Sequence, residues 1–171
     1  MSAPRVLLCV SAESGAGKTT LLERLIPELG RRGVCCAVVK LTHHDVDPDP
    51  PGKDSGRLRD AGARGVVLAG PRRATLCVPG RQDIARLAHL AAAVGDVDLV
   101  LVEGGRAEPD LPRIEVVAPG GRLATTDPAL LVAVAADADV APPGTPRFAR
   151  DAVPELADLV ADWARRAAPS P

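Results

Sequence analysis

The 171-residue sequence predicts one α/β domain in which helices cover both faces of a mostly parallel sheet. Short, continuous apolar runs alternate with amphipathic segments of helical period, as expected for strands buried between two helical layers. The length suits one ordinary domain, and neither a long linker nor an internal repeat divides the chain. We therefore expect residues 1–171 to form a single domain, with residues 167–171 as a frayed tail.

The first part of the chain predicts a strand, a helix and a second strand. Arg5–Val10 is a short apolar run typical of a fully buried strand. Leucines at helical spacing follow it. We expect Pro27 to kink the last turn of this helix, and Gly30 and Gly33 to end it. Val34–Lys40 is the next apolar run and predicts a second buried strand.

The middle of the chain predicts a loop, a short helix and a pair of strands. Residues 41–53 are rich in Pro, Asp and His and indicate a loop. Asp54 or Ser55 can then cap a short helix that Gly62 stops. The two strands and the turn between them are Gly65–Ala69, Ala74–Val78 and Pro71-Arg72-Arg73. The two arginines of this turn suit either a phosphate-bearing partner or a solvated surface.

The last part of the chain alternates helices and strands again. The predicted elements are the helix Gln82–Val94, the strands Leu99–Val102, Ile114–Val117 and Leu130–Ala135, and a final amphipathic helix that carries Trp163. In a parallel α/β sheet, ligands bind outside the edge at which the carboxyl ends of the strands meet. Residues that directly follow a predicted strand are therefore the candidates for a site.

The overall composition argues against several classes of partner. Lys and Arg together number 21 and Asp and Glu number 22, which gives a formal net charge of -1. Nucleic acids and anionic membranes favour a basic surface, so we expect neither as a partner. Aromatic residues make up 1% of the chain, which excludes a stacking platform for bases.

The N-terminal segment and the cysteines indicate a reducing, cytoplasmic setting. No signal peptide is recognisable, and the longest apolar stretch, Ala129–Ala136, is far below the roughly 18 residues of a spanning helix. The four cysteines lack a C-x-x-C spacing and are interpreted as free thiols in or near the core; they are Cys9, Cys35, Cys36 and Cys77.

Residues 12–19 contain a phosphate-binding motif. They read Ala-Glu-Ser-Gly-Ala-Gly-Lys-Thr and depart from the pattern G-x-x-x-x-G-K-[ST] only at Ala12. The segment follows a buried strand and begins a helix, which is the context that this motif requires. We therefore expect a P-loop NTPase-like fold, a single P-loop nucleotide-binding domain, and a nucleoside triphosphate bound with Mg²⁺.

The motif assigns a role to several of its residues. Gly15 and Gly17 allow the backbone amides to turn toward phosphate. Lys18 can place its ammonium group between the β- and γ-phosphates, and Thr19 can put its hydroxyl on Mg²⁺. Lys18 is therefore a predicted catalytic residue, and Thr19 a predicted metal ligand.

The rule for strand ends sorts the nearby charged residues. Glu103 follows a buried strand and is a candidate either to hold Mg²⁺ through water or to orient the attacking water, which makes it both a catalytic and a metal candidate. Lys40 also ends a strand next to the predicted site. Asp98 precedes its strand, lies at the opposite end, and is interpreted as a solubilising or capping residue.

The loop after Lys40 carries acidic residues and a histidine pair. Its carboxylates can belong to a switch beside the nucleotide, but their spacing does not separate their roles; they are Asp45, Asp47, Asp49 and Asp54. His43 and His44 are adjacent and converge poorly on one metal ion, so a polar role in the loop is favoured over a metal site.

Two further stretches identify a family. The run Val38–Asp47, continuing to Pro51–Ser55 and Ala61-Gly62-Ala63, closely resembles the second conserved block of MobB, the family of molybdopterin-guanine dinucleotide biosynthesis adapters. Asp98–Gly104 resembles its third block, and the C-terminal strand and helix resemble its last portion. The resemblance covers nearly the whole chain in the right order.

The resemblance implies a GTP-binding α/β protein with weak GTPase activity, usually a homodimer. Such a protein assists the guanylyltransferase that joins GMP to molybdopterin, so the implied partners are this enzyme and molybdopterin-bearing proteins. GTP and Mg²⁺ are the implied cofactors. The nucleotide-binding residues carried over are Glu13, Ser14, Gly15, Ala16, Gly17, Lys18, Thr19 and Thr20. The implied rim of the site consists of Lys40, His43, His44, Asp47, Gly52, Lys53 and Asp54.

The sequence departs from the family pattern at three places and leaves two further functions open. Leu41 replaces a frequent His, Glu13 stands where an apolar or aromatic residue is expected, and Gly105-Arg106 replaces Phe-Lys. No Asn-Lys-x-Asp guanine signature is present, so the preference for GTP rests on the resemblance. The two further functions are a P-loop small-molecule kinase with a lid that carries Arg147 and Arg150, and a metallochaperone GTPase with His43, His44 and Cys35 as ligands.

Overall fold

The strands form one six-stranded parallel sheet and one separate hairpin. A computed structural model describes residues 7–42, 44, 46, 52–106, 108–125 and 127–167. The strands are β1 (Leu7–Ala12), β2 (Cys36–Lys40), β3 (Val66–Ala69), β4 (Ala74–Cys77), β5 (Leu99–Glu103), β6 (Arg113–Val116), β7 (Leu131–Ala135) and β8 (Arg147–Phe148). The large sheet has the order β2-β5-β1-β6-β7-β8, and every neighbouring pair in it is parallel. Strands β3 and β4 pair antiparallel.

Helices cover both faces of the large sheet, as the sequence predicts. The helices are α1 (Lys18–Arg31), α2 (Asp54–Asp60), α3 (Ile84–Ala92) and α4 (Val153–Ala167). Helices α1 and α4 pack on one face, where their leucines and valines meet the apolar side chains of β1, β5, β6 and β7. Helix α3 packs on the other face, against β2 and β5. The α/β, P-loop NTPase-like fold class is therefore confirmed.

The chain divides into two compact units. One unit combines the segment that ends at Leu41 with the segment that starts at Ile84, and it contains the six-stranded sheet with α1, α3 and α4. The other unit, Thr42–Asp83, contains α2 and the β3–β4 hairpin. No helix among the described residues is long and apolar enough to cross a membrane. The expectation of one domain over residues 1–171 stays a prediction, and residues 168–171 of its tail lie outside the described residues.

Several element ends differ from the sequence prediction for local reasons. Helix α1 continues through Gly30 and ends at Arg31. Gly33 follows that end with a φ of 73°, which lets the N–H of Val34 reach the carbonyl of Leu29 at 3.0 Å. Helix α2 has no side-chain cap, because Lys53 occupies the capping position and Asp54 is already helical, so the predicted caps are wrong. Strand β8 is two residues long, too short to show a periodic pattern, and was not predicted.

Candidate nucleotide-binding site

The phosphate-binding loop joins β1 to α1 at the carboxyl edge of the sheet. Gly15 and Gly17 adopt φ values of 76° and 96°, a region that side chains rarely enter, so both positions favour glycine. Gly17 is the residue before the first helical turn, and the N–H of Ala16 donates to the carbonyl of Glu13 at 3.3 Å. The loop therefore turns back on itself and leads directly into the helix, whose first amides can attract an anion.

Lys18 and Thr19 begin α1 from this loop. The Nζ of Lys18 donates to the carbonyl of Glu13 at 3.2 Å, so its ammonium group folds back over the loop. The hydroxyl of Thr19 donates to the Oε1 of Glu103 at 2.5 Å. The structure thus joins the predicted metal ligand of the loop to the predicted acidic residue at the end of β5.

Glu103 is held at this edge by two neighbouring strands. Its strand β5 lies between β1 and β2, and its register pairs it with Val10 on one side and with Lys40 on the other. The Nζ of Lys40 lies 3.2 Å from the same Oε1 that accepts from Thr19. The Glu103 side chain is 11% exposed and that of Lys40 is 61% exposed. A nearly buried carboxylate is therefore balanced by one hydroxyl and one ammonium group.

This cluster has the chemistry that a magnesium ion requires. Mg²⁺ prefers oxygen ligands and commonly combines one or two protein oxygens with water and phosphate oxygens. The hydroxyl of Thr19 and the carboxylate of Glu103 supply adjacent oxygens beside the phosphate-binding loop. The residues present therefore fit Mg²⁺, and Thr19 and Glu103 are the residues that would hold it.

A glycine pair follows Glu103 and is supported by a buried thiol. Gly104 and Gly105 have φ values of 103° and 66°, and a Cβ on Gly105 would lie 3.1 Å from the Sγ of Cys9. The Sγ of Cys9 donates to the carbonyl of Gly104 at 2.8 Å. Burial raises the pKa of the Cys9 thiol to about 11, so it remains a protonated donor at neutral pH. Gly105, which departs from the phenylalanine of the family pattern, thus occupies a position where the backbone favours glycine.

An arginine from the loop before α4 contacts the phosphate-binding loop. One terminal nitrogen of Arg150 donates to the carbonyl of Ala16 at 2.9 Å, and a Cβ on Gly17 would lie 2.8 Å from the same nitrogen. The backbone N–H of Arg150 donates to Asp137 Oδ1 at 3.1 Å. The Nε of Arg150 is buried and has no hydrogen-bond partner among the described residues. Hydrogen bonds therefore link Asp137 to Arg150, and Arg150 to the phosphate-binding loop.

A cleft of about 480 Å³ opens next to Asp137 and Arg150. Gly17 and Thr20 border it from the phosphate-binding loop and α1, and Asp137 and Arg150 border it from the loops after β7 and β8. Arg24, one helical turn after Thr20, also lines the cleft and donates to the carbonyl of Asp151 at 3.0 Å. The volume lies in the ordinary range of small-ligand sites, which is about 300–1,000 Å³.

The predicted rim is brought to the cluster in part. Lys40 contacts Glu103 through its ammonium group. His44, Gly52, Lys53 and Asp54 belong to the second unit, where His44 is exposed and Asp54 lies 3.6 Å from Arg57. His43 and Asp47 lie outside the described residues. The assignment of all seven residues to the rim of the site stays a prediction.

Local contacts give little support to a metallochaperone or to a kinase lid. No group of three or more His, Cys, Asp or Glu side chains that could hold a metal ion is found within the described part of the chain, from which His43 is missing. Arg147 pairs with Asp139 at 3.6 Å and donates to the carbonyl of Ala136, while Arg150 is bound to the phosphate-binding loop. Both arginines of the proposed lid are therefore engaged by the chain itself.

Asp98 lies at the opposite edge of the sheet from the phosphate-binding loop, because it directly precedes β5. Its Oδ2 accepts from the N–H of Cys35 at 2.9 Å. This contact satisfies one backbone donor just before β2, and the interpretation of Asp98 as a solubilising or capping residue stays a prediction.

Sequence reasoning missed Asp137 and Arg24 as candidates and considered Arg150 only as part of a kinase lid. The rule that selected Glu103 applies equally to Asp137, because Asp137 lies two residues beyond the end of a buried strand. Arg24 is four residues after Thr20 on α1, so the helical period places both on one face. No sequence signal brings Arg150 to the loop, since that contact joins residues 134 positions apart.

Known proteins resemble this chain in sequence and in fold. The family model described as molybdopterin guanine dinucleotide synthesis protein B matches residues 7–137. The chain is 45% identical over 106 residues to the molybdopterin-guanine dinucleotide biosynthesis adapter protein of Escherichia coli, a stretch that covers 60% of each chain. It is 43% identical over 110 residues to the Haemophilus influenzae protein of the same description, covering 63% of this chain and 61% of that one. The matched part thus spans about three fifths of the length of these relatives.

A solved structure extends this likeness over nearly the whole fold. The crystal structure of a molybdopterin-guanine biosynthesis protein B matches with a TM-score of 0.65 at 28% sequence identity. The match covers 94% of this chain and 99% of the other. The fold neighbour therefore includes the region after residue 137, which the family model does not match.

Proposed function

The chain belongs to the family of molybdopterin guanine dinucleotide synthesis protein B, and we propose that it is a GTP-binding adapter in molybdopterin guanine dinucleotide biosynthesis. The curated relatives named above are described as adapters of that pathway. The observation that carries the nucleotide part of the proposal is the contact of Thr19 with Glu103 at 2.5 Å, directly beside the phosphate-binding loop.

The proposed binding mode assigns the triphosphate to residues 13–20. The loop supplies backbone amides and the positive end of the α1 dipole, and Lys18 supplies a cation, so that the phosphate charge meets donors on several sides. Thr19 and Glu103 are the ligands proposed for Mg²⁺, which offsets phosphate charge when bound.

The proposed hydrolysis is slow. In this reaction a water oxygen bonds to the γ-phosphorus, the bridging P–O bond breaks with its electrons on GDP, and the water proton passes to phosphate or to a nearby carboxylate. Glu103 is the acidic side chain of the cluster, and Lys40 lies 3.2 Å from the oxygen that Thr19 also contacts. An oxygen already engaged by two donors is less available to orient a water molecule, which supports weak GTPase activity.

The partner proposed for the adapter is the guanylyltransferase that joins GMP to molybdopterin, together with molybdopterin-bearing proteins. A protein that holds GTP and hydrolyses it slowly can deliver or retain a nucleotide for such a transferase. A homodimer and a cytoplasmic location also belong to this proposal. Pull-down of the purified transferase with and without Mg·GTP tests the partner, and light scattering on a size-exclusion column tests the dimer.

Calorimetric titration with nucleotide tests the binding site. The nucleotide-free protein is titrated with GTP and with ATP, each with Mg²⁺, in parallel with Lys18→Ala. Loss of the charged contact to phosphate should weaken GTP binding by about 10- to 100-fold. Arg31→Ala is the matched control, because Arg31 lies at the other end of the same helix and its side chain is 66% exposed.

The outcomes separate the adapter from a kinase. GTP binding that exceeds ATP binding and is lost in Lys18→Ala, but retained in Arg31→Ala, supports the adapter. Wild-type binding of GTP that survives Lys18→Ala contradicts the assigned site. Equal or tighter binding of ATP contradicts the GTP preference and directs the search to a phosphate acceptor of a kinase.

A further inference from the structure

The cleft beside the phosphate-binding loop contains opposite charges in equal number. Two arginines, Arg24 and Arg150, and two aspartates, Asp137 and Asp151, are among the residues that line it, so the formal charges of these lining residues cancel. A second phosphate would find no net attraction in this cleft. A neutral group with both donors and acceptors matches such a lining.

The position of the cleft relates it to the nucleotide. Gly17 and Thr20 belong both to the loop that is proposed to bind phosphate and to the wall of the cleft. A nucleotide whose phosphates lie on the loop can therefore extend its nucleoside into this space. Val116 and Ala135, at the ends of β6 and β7, add apolar surface to the lining. Concave sites that combine apolar walls with a few convergent polar groups are typical of small-ligand binding.

Asp137 is the carboxylate best held for reading a base. One of its oxygens accepts the N–H of Arg150 at 3.1 Å, which fixes the side chain against the loop after β8. An ionised carboxylate has about four acceptor positions, so this contact leaves others free. Asp151 differs from Asp137, because its contact with Arg24 is made by its main-chain carbonyl and does not hold its carboxylate in place.

The chemistry of the base edges then selects guanine. Guanine presents two donors, N1–H and the N2 amino group, side by side, and a carboxylate can accept both. Adenine presents an acceptor at N1, which a carboxylate repels. The O6 and N7 acceptors of guanine suit an arginine, and the Nε of Arg150 is a buried donor without a partner among the described residues.

We infer that Asp137 reads the Watson–Crick edge of guanine in this cleft and that Arg150 orients Asp137 and the phosphate-binding loop together. The inference rests on the proposed function, because it requires the phosphates of GTP on the loop. It supplies the guanine-reading residue that the missing Asn-Lys-x-Asp signature leaves unassigned. Arg150 acts as a positioning residue through its contacts to Asp137 and to Ala16.

Nucleotide competition with Asp137→Asn tests the inference. The amide replaces one acceptor by a donor, so it should lower GTP affinity at least about tenfold. Xanthine carries an acceptor in place of the N2 amino group, so the same variant should bind XTP more tightly than the wild type does. Asp139→Asn is the matched control, because its side chain is 92% exposed and pairs with Arg147 at 3.6 Å.

The outcomes distinguish this inference from the proposed function. A switch from GTP to XTP in Asp137→Asn, absent in Asp139→Asn, supports it. Unchanged GTP and XTP affinities in Asp137→Asn overturn it, even where Lys18→Ala still weakens GTP binding and the proposed function stands. Absence of GTP binding in the wild type overturns both. A circular dichroism melt of each variant shows whether it is folded. Asp137→Glu is a second variant, which keeps the charge but should weaken GTP binding because it displaces the carboxylate.

Discussion

At the scale of single residues, one carboxylate joins three elements of the site. Glu103 ends β5, accepts from Thr19 of α1, and pairs with Lys40 at the end of β2. Its side chain is nearly buried, so each lost partner leaves a charge that water compensates poorly. Glu103 therefore has both a structural role, through its contacts to Thr19 and Lys40, and a proposed chemical role in hydrolysis. A substitution that keeps its shape but removes its charge distinguishes these two roles.

Glu103→Gln should reduce GTP hydrolysis by about 100-fold while GTP binding remains close to that of the wild type. The amide keeps an oxygen for the hydroxyl of Thr19 and for Mg²⁺, but it removes the negative charge that orients the attacking water. Single-turnover hydrolysis and calorimetry with Mg·GTP measure the two effects separately. Glu23→Gln, an exposed position on α1, is the control and should leave both values unchanged. Full hydrolysis in Glu103→Gln would remove Glu103 from the mechanism.

At the scale of elements, the contact of α1 with α4 is held by an apolar core and one arginine. Leu25 and Leu29 of α1 and Leu156 and Val160 of α4 are essentially inaccessible to solvent. Arg32 follows α1 and donates to Glu28, to Asp158 of α4 at 2.6 Å, and to the carbonyl of Pro154 at 2.9 Å. Hydrogen bonds and an ion pair from Arg32 thus connect the two helices at one end, and apolar packing connects them along their length.

Arg32→Ala should lower the free energy of unfolding more at pH 7 than at pH 2. Hydrogen bonds from Arg32 lower the pKa of Glu28 below its ordinary 4.5 and that of Asp158 below its ordinary 3.8. Each carboxylate with a lowered pKa stabilises the fold above its unfolded pKa, and this stabilisation is lost as the pH falls through the folded pKa. Urea unfolding at both pH values measures the difference between the wild type and the variant.

Two comparisons check the electrostatic origin of this effect. Added salt should reduce the difference in the free energy of unfolding between the wild type and Arg32→Ala at pH 7, because the charges of Glu28 and Asp158 are exposed to solvent and screened by ions. Arg166→Ala, an exposed position in the last turn of α4, should leave the stability unchanged. A difference between Arg32→Ala and the wild type that is the same at pH 7 and pH 2 would assign the effect to the lost backbone contacts alone.

At the scale of the whole molecule, the two compact units have very different interiors. The first contains interior strands that neighbours flank on both sides, and the side chains of β1 and β5 are nearly all buried. The second contains a two-stranded hairpin with exposed apolar side chains at Val67 and Leu76. Two-stranded hairpins alone are marginally stable in water.

Hydrogen exchange should therefore separate the two units. Amides of β1 and β5 should exchange only through global unfolding, whereas those of Val66–Ala69 and Ala74–Cys77 should exchange through local opening at lower free energy. Mass spectrometry at several low urea concentrations measures both, and only the sheet peptides should show the full urea dependence of unfolding. Equal protection and equal urea dependence of the two regions would contradict this difference.

The layers of the fold and one side of the site can be predicted from the order of residues along the chain. Apolar runs with the right period locate the strands and helices, because burial on two faces dictates their composition. The phosphate motif and the strand-end rule then bring Lys18, Thr19, Glu103 and Lys40 to one edge, because all of them follow from local order along the chain. The predicted caps of α2 were wrong, since the choice among Lys53, Asp54 and Ser55 depends on the course of the preceding loop.

The other side of the site depends on contacts between residues that are far apart in the chain, and it could not be predicted from the sequence. The contact of Arg150 with Ala16, the position of Asp137, and the cleft between them depend on how the end of the chain returns to its beginning. Such contacts arise from the packing of α4 against α1 and from the addition of β7 and β8 to the sheet. A periodic pattern reports which face of an element is buried, but it does not report which distant element covers that face.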